Sequence, residues 1–137
     1  MHYMELLKER GLKATPQRIS VLKNLSNHTH PTVDELYEEI KKEHPSISLA
    51  TVYKNLSTLV ECGLVVEINR PNKKPKFDIF DYPHMHVMCK NCGEVFDFHE
   101  ETENLKEYKK ELEVKLDNKI DEINMVAVVA TCKQCRD

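Results

Sequence analysis

Glycine is scarce in this chain, with three residues in 137, and no glycine-rich phosphate-binding loop is present. That absence argues against the nucleotide-dependent enzymes built on such a loop. No apolar run approaches the length of about 18 residues that a membrane-spanning helix needs, so no membrane partner is expected. The segment Met1-His2-Tyr3-Met4-Glu5 lacks the basic start and long apolar stretch of a signal peptide, and a cytoplasmic location is expected. There the five cysteines should be reduced, which favours metal or redox roles over structural disulfides. A strong excess of one charge is missing too. Residues 1–83 carry 12 Lys/Arg against 11 Asp/Glu and residues 84–137 carry 8 against 12, so charge alone does not establish a nucleic-acid partner. Internal repeats and low-complexity tracts are also absent.

Apolar residues make up 40%, enough for one modest core or for two small lobes sharing an interface. Small lobes bury proportionally less surface and benefit from a metal staple. The first half reads as short helices. One over Tyr3–Glu9 ends at Gly11, and Thr15-Pro16 supplies an N-cap and an N1 proline for the next. Thr32-Val33-Asp34-Glu35 fits a capping box opening a helix that stops near His44-Pro45. Ser48 caps a third helix, with Val52, Leu56, Leu59 and Val60 as its apolar stripe and Gly63 beyond its end. The period then changes. Leu64–Ile68 and Lys76–Phe80 read as strands around a basic, proline-punctuated loop, completing a winged helix-turn-helix. The best hinge is 81–83, between a domain at 1–80 and one at 84–137. In the latter, His86–Cys89 and Glu94–Phe98 read as strands and Glu103–Leu116 as a helix with Leu105, Tyr108 and Leu112 inward. Met125–Ala130 is apolar enough for a strand covered on both faces. The fold class is therefore α+β, an N-terminal winged helix followed by a C-terminal α/β domain.

Two Cys-x-x-Cys motifs carry the strongest chemistry. Cys89, Cys92, Cys132 and Cys135 supply the four sulfurs of a closed, structural Zn2+ site. The 39 residues between the pairs exceed the usual ribbon spacing, but a helix and a strand fit there. Two separate redox pairs or plain buried thiols are the alternatives. Cys62 lacks a partner at metal-ligand spacing and reads as a small core residue. His84 and His86, two apart, project from one face of a strand, with Asp78 before them and Asp97 after the first cysteine pair. Such a set suits Fe2+, Mn2+ or Zn2+, zinc less as the oxygen share grows. The plainer alternative is a surface histidine pair beside solvated carboxylates. The polar face at Thr51, Tyr53, Lys54 and Asn55 carries groups able to meet phosphates and base edges, and the basic loop from Arg70 to Lys76 is a natural backbone clamp. No catalytic constellation competes. His99-Glu100 lacks the His-x-Glu of zinc deaminases, and Met88 stands where such enzymes carry proline before the Cys-x-x-Cys. A zinc hydrolase, a dithiol oxidoreductase or a zinc-ribbon interaction module remain the alternatives from other classes.

Thr15-Pro16-Gln17-Arg18, His30-Pro31-Thr32, Ser48-Leu49-Ala50-Thr51-Val52-Tyr53, Gly63-Leu64-Val65, Phe77-Asp78 and His86-Val87-Met88-Cys89-Lys90-Asn91-Cys92-Gly93 stand in the order typical of the ferric uptake regulator family, which this chain resembles over nearly its whole length. The resemblance implies a homodimeric winged-helix repressor on a palindromic double-stranded DNA operator, with the C-terminal domain forming the dimer. It implies a regulatory Fe2+ or Mn2+ held by His30, Asp78, His84, His86 and Asp97. Asp97 points to the peroxide-sensing branch, since iron-sensing relatives usually carry glutamate there. In that branch, iron-catalysed oxidation of His30 or His84 releases DNA. Arg18, Ser48, Thr51, Tyr53, Lys54, Asn55, Arg70, Lys73 and Lys74 are the expected DNA contacts. Two metal sites per subunit are expected rather than three, because Pro83-His84-Met85-His86 departs from the iron-sensor pattern and Asn124 stands where a third site draws a histidine. An iron-, manganese- or zinc-responsive uptake regulator is the alternative within the family.

Overall fold

The computed structural model describes residues 2–80, 85–98, 102–120 and 123–136. The expected hinge 81–83, His84 and the His99-Glu100 pair lie outside the described residues. The chain divides into two compact units, Met1–Asp81 and Tyr82–Asp137.

The first unit holds α1 (Tyr3–Glu9), α2 (Pro16–Leu25), α3 (Val33–Glu43), α4 (Leu49–Glu61), β1 (Val65–Arg70) and β2 (Lys73–Ile79). Capping chemistry sets the helix starts. Thr15, Thr32 and Ser48 each turn a side-chain oxygen to a backbone N–H three residues on. At Thr32 the box is reciprocal: Glu35 N–H donates to its hydroxyl at 3.3 Å while Thr32 N–H donates to the Glu35 carboxylate at 3.0 Å. These bonds hold the Glu35 carboxyl below its ordinary value of 4.5, the Thr32 backbone N–H most of all. Helix α4 ends where Gly63, at φ 83°, reverses the chain in a left-handed conformation that favours glycine. Leu22, Leu25, Leu36, Ile40, Val52, Leu56 and Leu59 form one core from three helices, closed by Leu64, Phe77 and Ile79 of the hairpin side. Cys62 packs at its edge, half-buried, and its carbonyl accepts from the Arg10 guanidinium at 2.7 Å.

The hairpin differs from the sequence expectation. The expected loop shrinks to a turn at Pro71-Asn72, and Arg70 pairs with Lys73. Asn72 adopts φ 57°, and the register shift between Ile68 and Arg70 takes up the residues opposite Asn69. Pro75, with no N–H to donate, falls within that irregular stretch, which is how a proline-marked segment still extends as a strand.

The second unit comprises β3 (Met85–Cys89), β4 (Val95–Phe98), α5 (Thr102–Leu116), β5 (Val126–Val129) and a short α6 (Lys133–Arg136). The strand order is β4-β3-β5, with β3–β4 antiparallel and β3–β5 parallel. A parallel partner requires the chain to return to the starting end of β3; β4 makes that return, and α5 lies in the connection from β4 to β5. Two expectations are corrected here. Tyr108 is 52% exposed rather than inward, while Leu105 and Leu112 are half-buried. The β5 run is not covered on both faces in the single chain: Val126 and Val128 are 43% and 56% exposed, so its apolar character reflects a face that this chain does not itself bury. No helix among the described residues is long and apolar enough to cross a membrane.

Thr32→Ala should cost about 1 kcal/mol of stability in denaturant titration. Because Glu35 titrates lower folded than unfolded, its contribution is present above pH 4.5 and lost as pH falls through the folded value. The gap between parent and Thr32→Ala should therefore narrow on the acid side.

Candidate functional site

Strand register builds the sulfur cluster. The β3–β5 pairing sets Cys89 opposite Val129, so the turn that follows β3 and the segment that follows β5 emerge at one end of the sheet. Gly93, at φ 76°, closes the first turn, its N–H donating to the Cys89 carbonyl at 2.8 Å. The second Cys-x-x-Cys then begins immediately after β5. Cys89 Sγ lies 3.5 Å from Cys135 Sγ, Cys92 Sγ lies 3.7 Å from Cys132 Sγ, and Cys132 Sγ lies 3.5 Å from Cys135 Sγ. Four sulfurs bound to zinc at about 2.3 Å stand about 3.8 Å apart, so the cluster fits a tetrahedral ion and is far too open for disulfides. All four are free thiols. The backbone N–H of Cys92 and, less strongly, that of Cys132 donate to Cys89 Sγ, holding that thiol down at about 6 from its ordinary 9.0. A thiol so placed is largely thiolate at neutral pH, the form that binds metal.

Each unit also carries a buried imidazole–carboxylate pair. In the second, the β3–β4 register sets His86 directly opposite Asp97, with Nε2 and Oδ1 3.5 Å apart. In the first, Asp78 near the end of β2 is fully buried, and its Oδ2 lies 3.5 Å from His30 Nε2. The Phe77 N–H donates to the Pro31 carbonyl at 2.9 Å, pinning the loop after α2 against β2 and so bringing His30 to Asp78. Each pair offers one nitrogen and one oxygen to a divalent ion, a donor set suited to Fe2+ or Mn2+. Asp78 also has a neighbour that the sequence reading missed. His28 Nδ1 lies 2.9 Å from Asp78 Oδ1. The signal was available, since His28-Thr29-His30 repeats the spacing of His84-Met85-His86.

The expected DNA contacts fall into two groups. Ser48, Thr51, Tyr53 and Lys54 are exposed at the start and along one side of α4, Tyr53 by 58%. Arg18, Asn55, Arg70 and Lys74 are tied into the fold. Arg18 Nε donates to Asn55 Oδ1 at 3.4 Å and its guanidinium also to the Lys13 carbonyl at 2.9 Å, linking α2 to α4. Arg70 Nε donates to the Lys74 carbonyl across the hairpin at 2.9 Å, and Lys74 pairs with Asp34 of α3. Lys73 is exposed beside the turn. Arg18 and Asn55 thus orient the α4 face, while Arg70 and Lys74 shape the hairpin tip.

The profile of the ferric uptake regulator family matches residues 9–128. The crystal structure of the Campylobacter jejuni peroxide stress regulator is 52% identical, spans 98% of this chain and 100% of that one, and superposes with a TM-score of 0.79. The peroxide-responsive repressor PerR of Staphylococcus saprophyticus is 35% identical over 136 residues, 96% of this chain and 87% of its own length. The ferric uptake regulator of Pseudomonas aeruginosa, solved with manganese, is 27% identical over 97% of this chain and 100% of its own, with a TM-score of 0.75.

Cys132→Ser is expected to lose zinc to a chelator concentration that leaves the parent loaded, and to melt at lower temperature, since metal-binding energy is here folding energy. Metal analysis after chelation and a thermal melt check both. Parental zinc content and melting temperature would remove the closed four-sulfur site.

Proposed function

This chain belongs to the ferric uptake regulator family, and on that premise we propose how its metal sites serve a peroxide-responsive repressor. It is a metal-dependent transcriptional repressor and not an enzyme. Cys89, Cys92, Cys132 and Cys135 hold structural zinc, a closed site with no coordination position left for substrate. His30 and Asp78 on the DNA-binding unit join His84, His86 and Asp97 on the second unit around one regulatory Fe2+ or Mn2+. By sharing that ion the five residues select a single relative orientation of the units, one in which the recognition helices of a dimer, each an α4, match the half-site spacing of a palindromic operator. Affinity for DNA changes because another orientation cannot satisfy all five ligands at once.

Fe2+, when bound, would lend peroxide an electron and recover it as a neighbouring side chain is oxidised, and Mn2+ would supply the clamp without that chemistry. His30 or His84 gains one oxygen atom from the peroxide, water carries away the other, and the altered imidazole no longer serves as a ligand. The observation that carries this reading is the pair of buried imidazole–carboxylate sets, one on each unit, beside a separate and chemically closed sulfur cluster. The dimer is completed by the second unit. β5 is an edge strand whose Val126 and Val128 face outward, and Val114 and Leu116 at the end of α5 are 81% and 63% exposed. A second copy of the chain covers this apolar surface.

Asp97→Ala should weaken Mn2+-dependent operator binding by at least the 10–100-fold that even outer-sphere partners are worth, about that range or more, with zinc retained. Unchanged operator affinity in a mobility-shift titration rules out the clamp. Peptide mass spectrometry after peroxide treatment should find an added oxygen on His30 or His84 in iron-loaded but not manganese-loaded protein; equal oxidation in both would favour a metal-responsive uptake regulator. Val128→Lys is expected to shift the protein toward monomer in sedimentation velocity, and a parental dimer in that variant would place the interface elsewhere.

A further inference from the structure

The polar groups along the outward side of α4 are partly engaged within the protein. Ser48 Oγ accepts from the Thr51 N–H at 3.1 Å and lies 2.9 Å from Thr51 Oγ1. The Thr58 hydroxyl donates to the Lys54 carbonyl, one turn back, at 3.1 Å. At Asn55, one turn beyond Thr51, the engagement has a direction. Its Oδ1 accepts from Arg18 Nε of α2 at 3.4 Å. A guanidinium carries five N–H donors and no acceptor, so the oxygen of the amide, and not its nitrogen, must face it. The guanidinium is anchored in turn. Nη1 donates to the Lys13 carbonyl at 2.9 Å, and the Arg18 backbone N–H donates to the Thr15 cap at 3.3 Å. Both Arg18 and Asn55 are half-buried, which shields their bond from full competition by water.

An asparagine selects adenine by using both ends of its amide at once, Oδ1 accepting from N6–H and Nδ2 donating to N7. In Asn55 the oxygen is already taken, while Nδ2 has no partner among the described residues. An amide held in this way can meet only acceptors, which on the major-groove edges are purine N7, guanine O6 and thymine O4. We propose that Asn55 reads a base edge as a hydrogen-bond donor only, and that Arg18 is the positioning residue that makes it so by withholding Oδ1. This rests on the reading of α4 as the recognition helix made above. The consequence concerns specificity. With Oδ1 withheld, the two-bond contact is not made, and Asn55 creates no preference for adenine over guanine. Arg18 thereby sets a base preference through another residue, without a contact of its own to DNA.

The test uses the zinc-replete, Mn2+-loaded protein and a randomised double-stranded DNA library as probe. Sequencing the bound fraction gives each variant's base profile, and titration of the duplex selected by the parent gives affinity. Asn55→Ala should weaken binding about 2–10-fold, the worth of one hydrogen bond, with the change confined to one position of the half-site. A loss spread evenly over all positions would make Asn55 a phosphate contact and overturn the proposal. Arg18→Met keeps a long stem and removes the guanidinium. It should gain an adenine preference of about tenfold at the Asn55 position, and the double variant with Asn55→Ala should lose that gain. The slope of log affinity against log salt should stay parental in Arg18→Met. An unchanged base profile with a slope shallower by about 0.9 would make Arg18 a phosphate contact instead and overturn the proposal. Should Arg18→Met prove unfolded, the parent alone decides. Replacing adenines of the selected duplex one at a time by purine, which lacks the 6-amino group, should leave affinity at the Asn55 position within about twofold. A tenfold loss there would put Oδ1 on the base and sink the idea. Tyr53→Ala and Lys54→Ala separate the two levels: parental DNA binding in both removes α4 as the recognition helix, whereas weakened binding in both beside a parental Asn55→Ala removes this proposal alone.

Discussion

Four thiolates can surround one ion only if segments forty residues apart in sequence return to the same spot. In this chain the parallel pairing of β3 with β5 does that. A parallel neighbour cannot be reached by a tight turn; here antiparallel β4 carries the chain back to the starting end of β3, and β5 begins at that end after α5. Once β5 is in register, the two Cys-x-x-Cys segments leave the sheet at one end with their sulfurs at tetrahedral spacing. The same register fixes β3, and β3 in turn fixes which residue of β4 faces His86. A slip of one position would turn His86 to the opposite face of the sheet and break its pairing with Asp97. The sulfur cluster therefore bears on the His86–Asp97 pair without touching it, since both depend on the register of β3.

This separates two kinds of donor set in one small protein. Sulfur donors in a closed tetrahedron hold zinc, which has no redox chemistry of its own. Mixed nitrogen and oxygen donors suit ions that exchange more readily and, in the case of iron, change oxidation state. The first donor set lies wholly in the second unit, at the end of its sheet. The second is drawn from short loops and strand ends, where a change of backbone direction can withdraw a donor.

Much of this was legible in the sequence, for physical reasons. The helix starts were readable because Thr15, Thr32 and Ser48 cap by local hydrogen bonds that need no tertiary context. The cysteine spacing was readable because two thiolates on one knuckle have a fixed reach. The hairpin was harder. Asn69 to Pro75 is dense in turn formers, yet two-stranded pairing overrode that composition and absorbed the proline at an irregularity. Tyr108 and the β5 run were misjudged for one shared reason, since periodicity marks a face as apolar without saying whether the same chain or another copy covers it. His28 went unnoticed because its partner, Asp78, is fifty residues away, and only the Phe77–Pro31 backbone bond brings loop and strand together.

Strand β2 runs from Lys73 to Ile79, its ladder to β1 broken only at Lys74-Pro75. Its first residues form one side of the basic hairpin tip, and its sixth is Asp78. At about 3.3 Å per residue, the tip and the buried carboxylate are at most about 16 Å apart along that strand. Beyond the irregularity, Lys76, Phe77 and Asp78 are held in register against Ile68, Glu67 and Val66 of β1, so the backbone that carries the buried carboxylate is fixed by the same pairing that forms the basic hairpin.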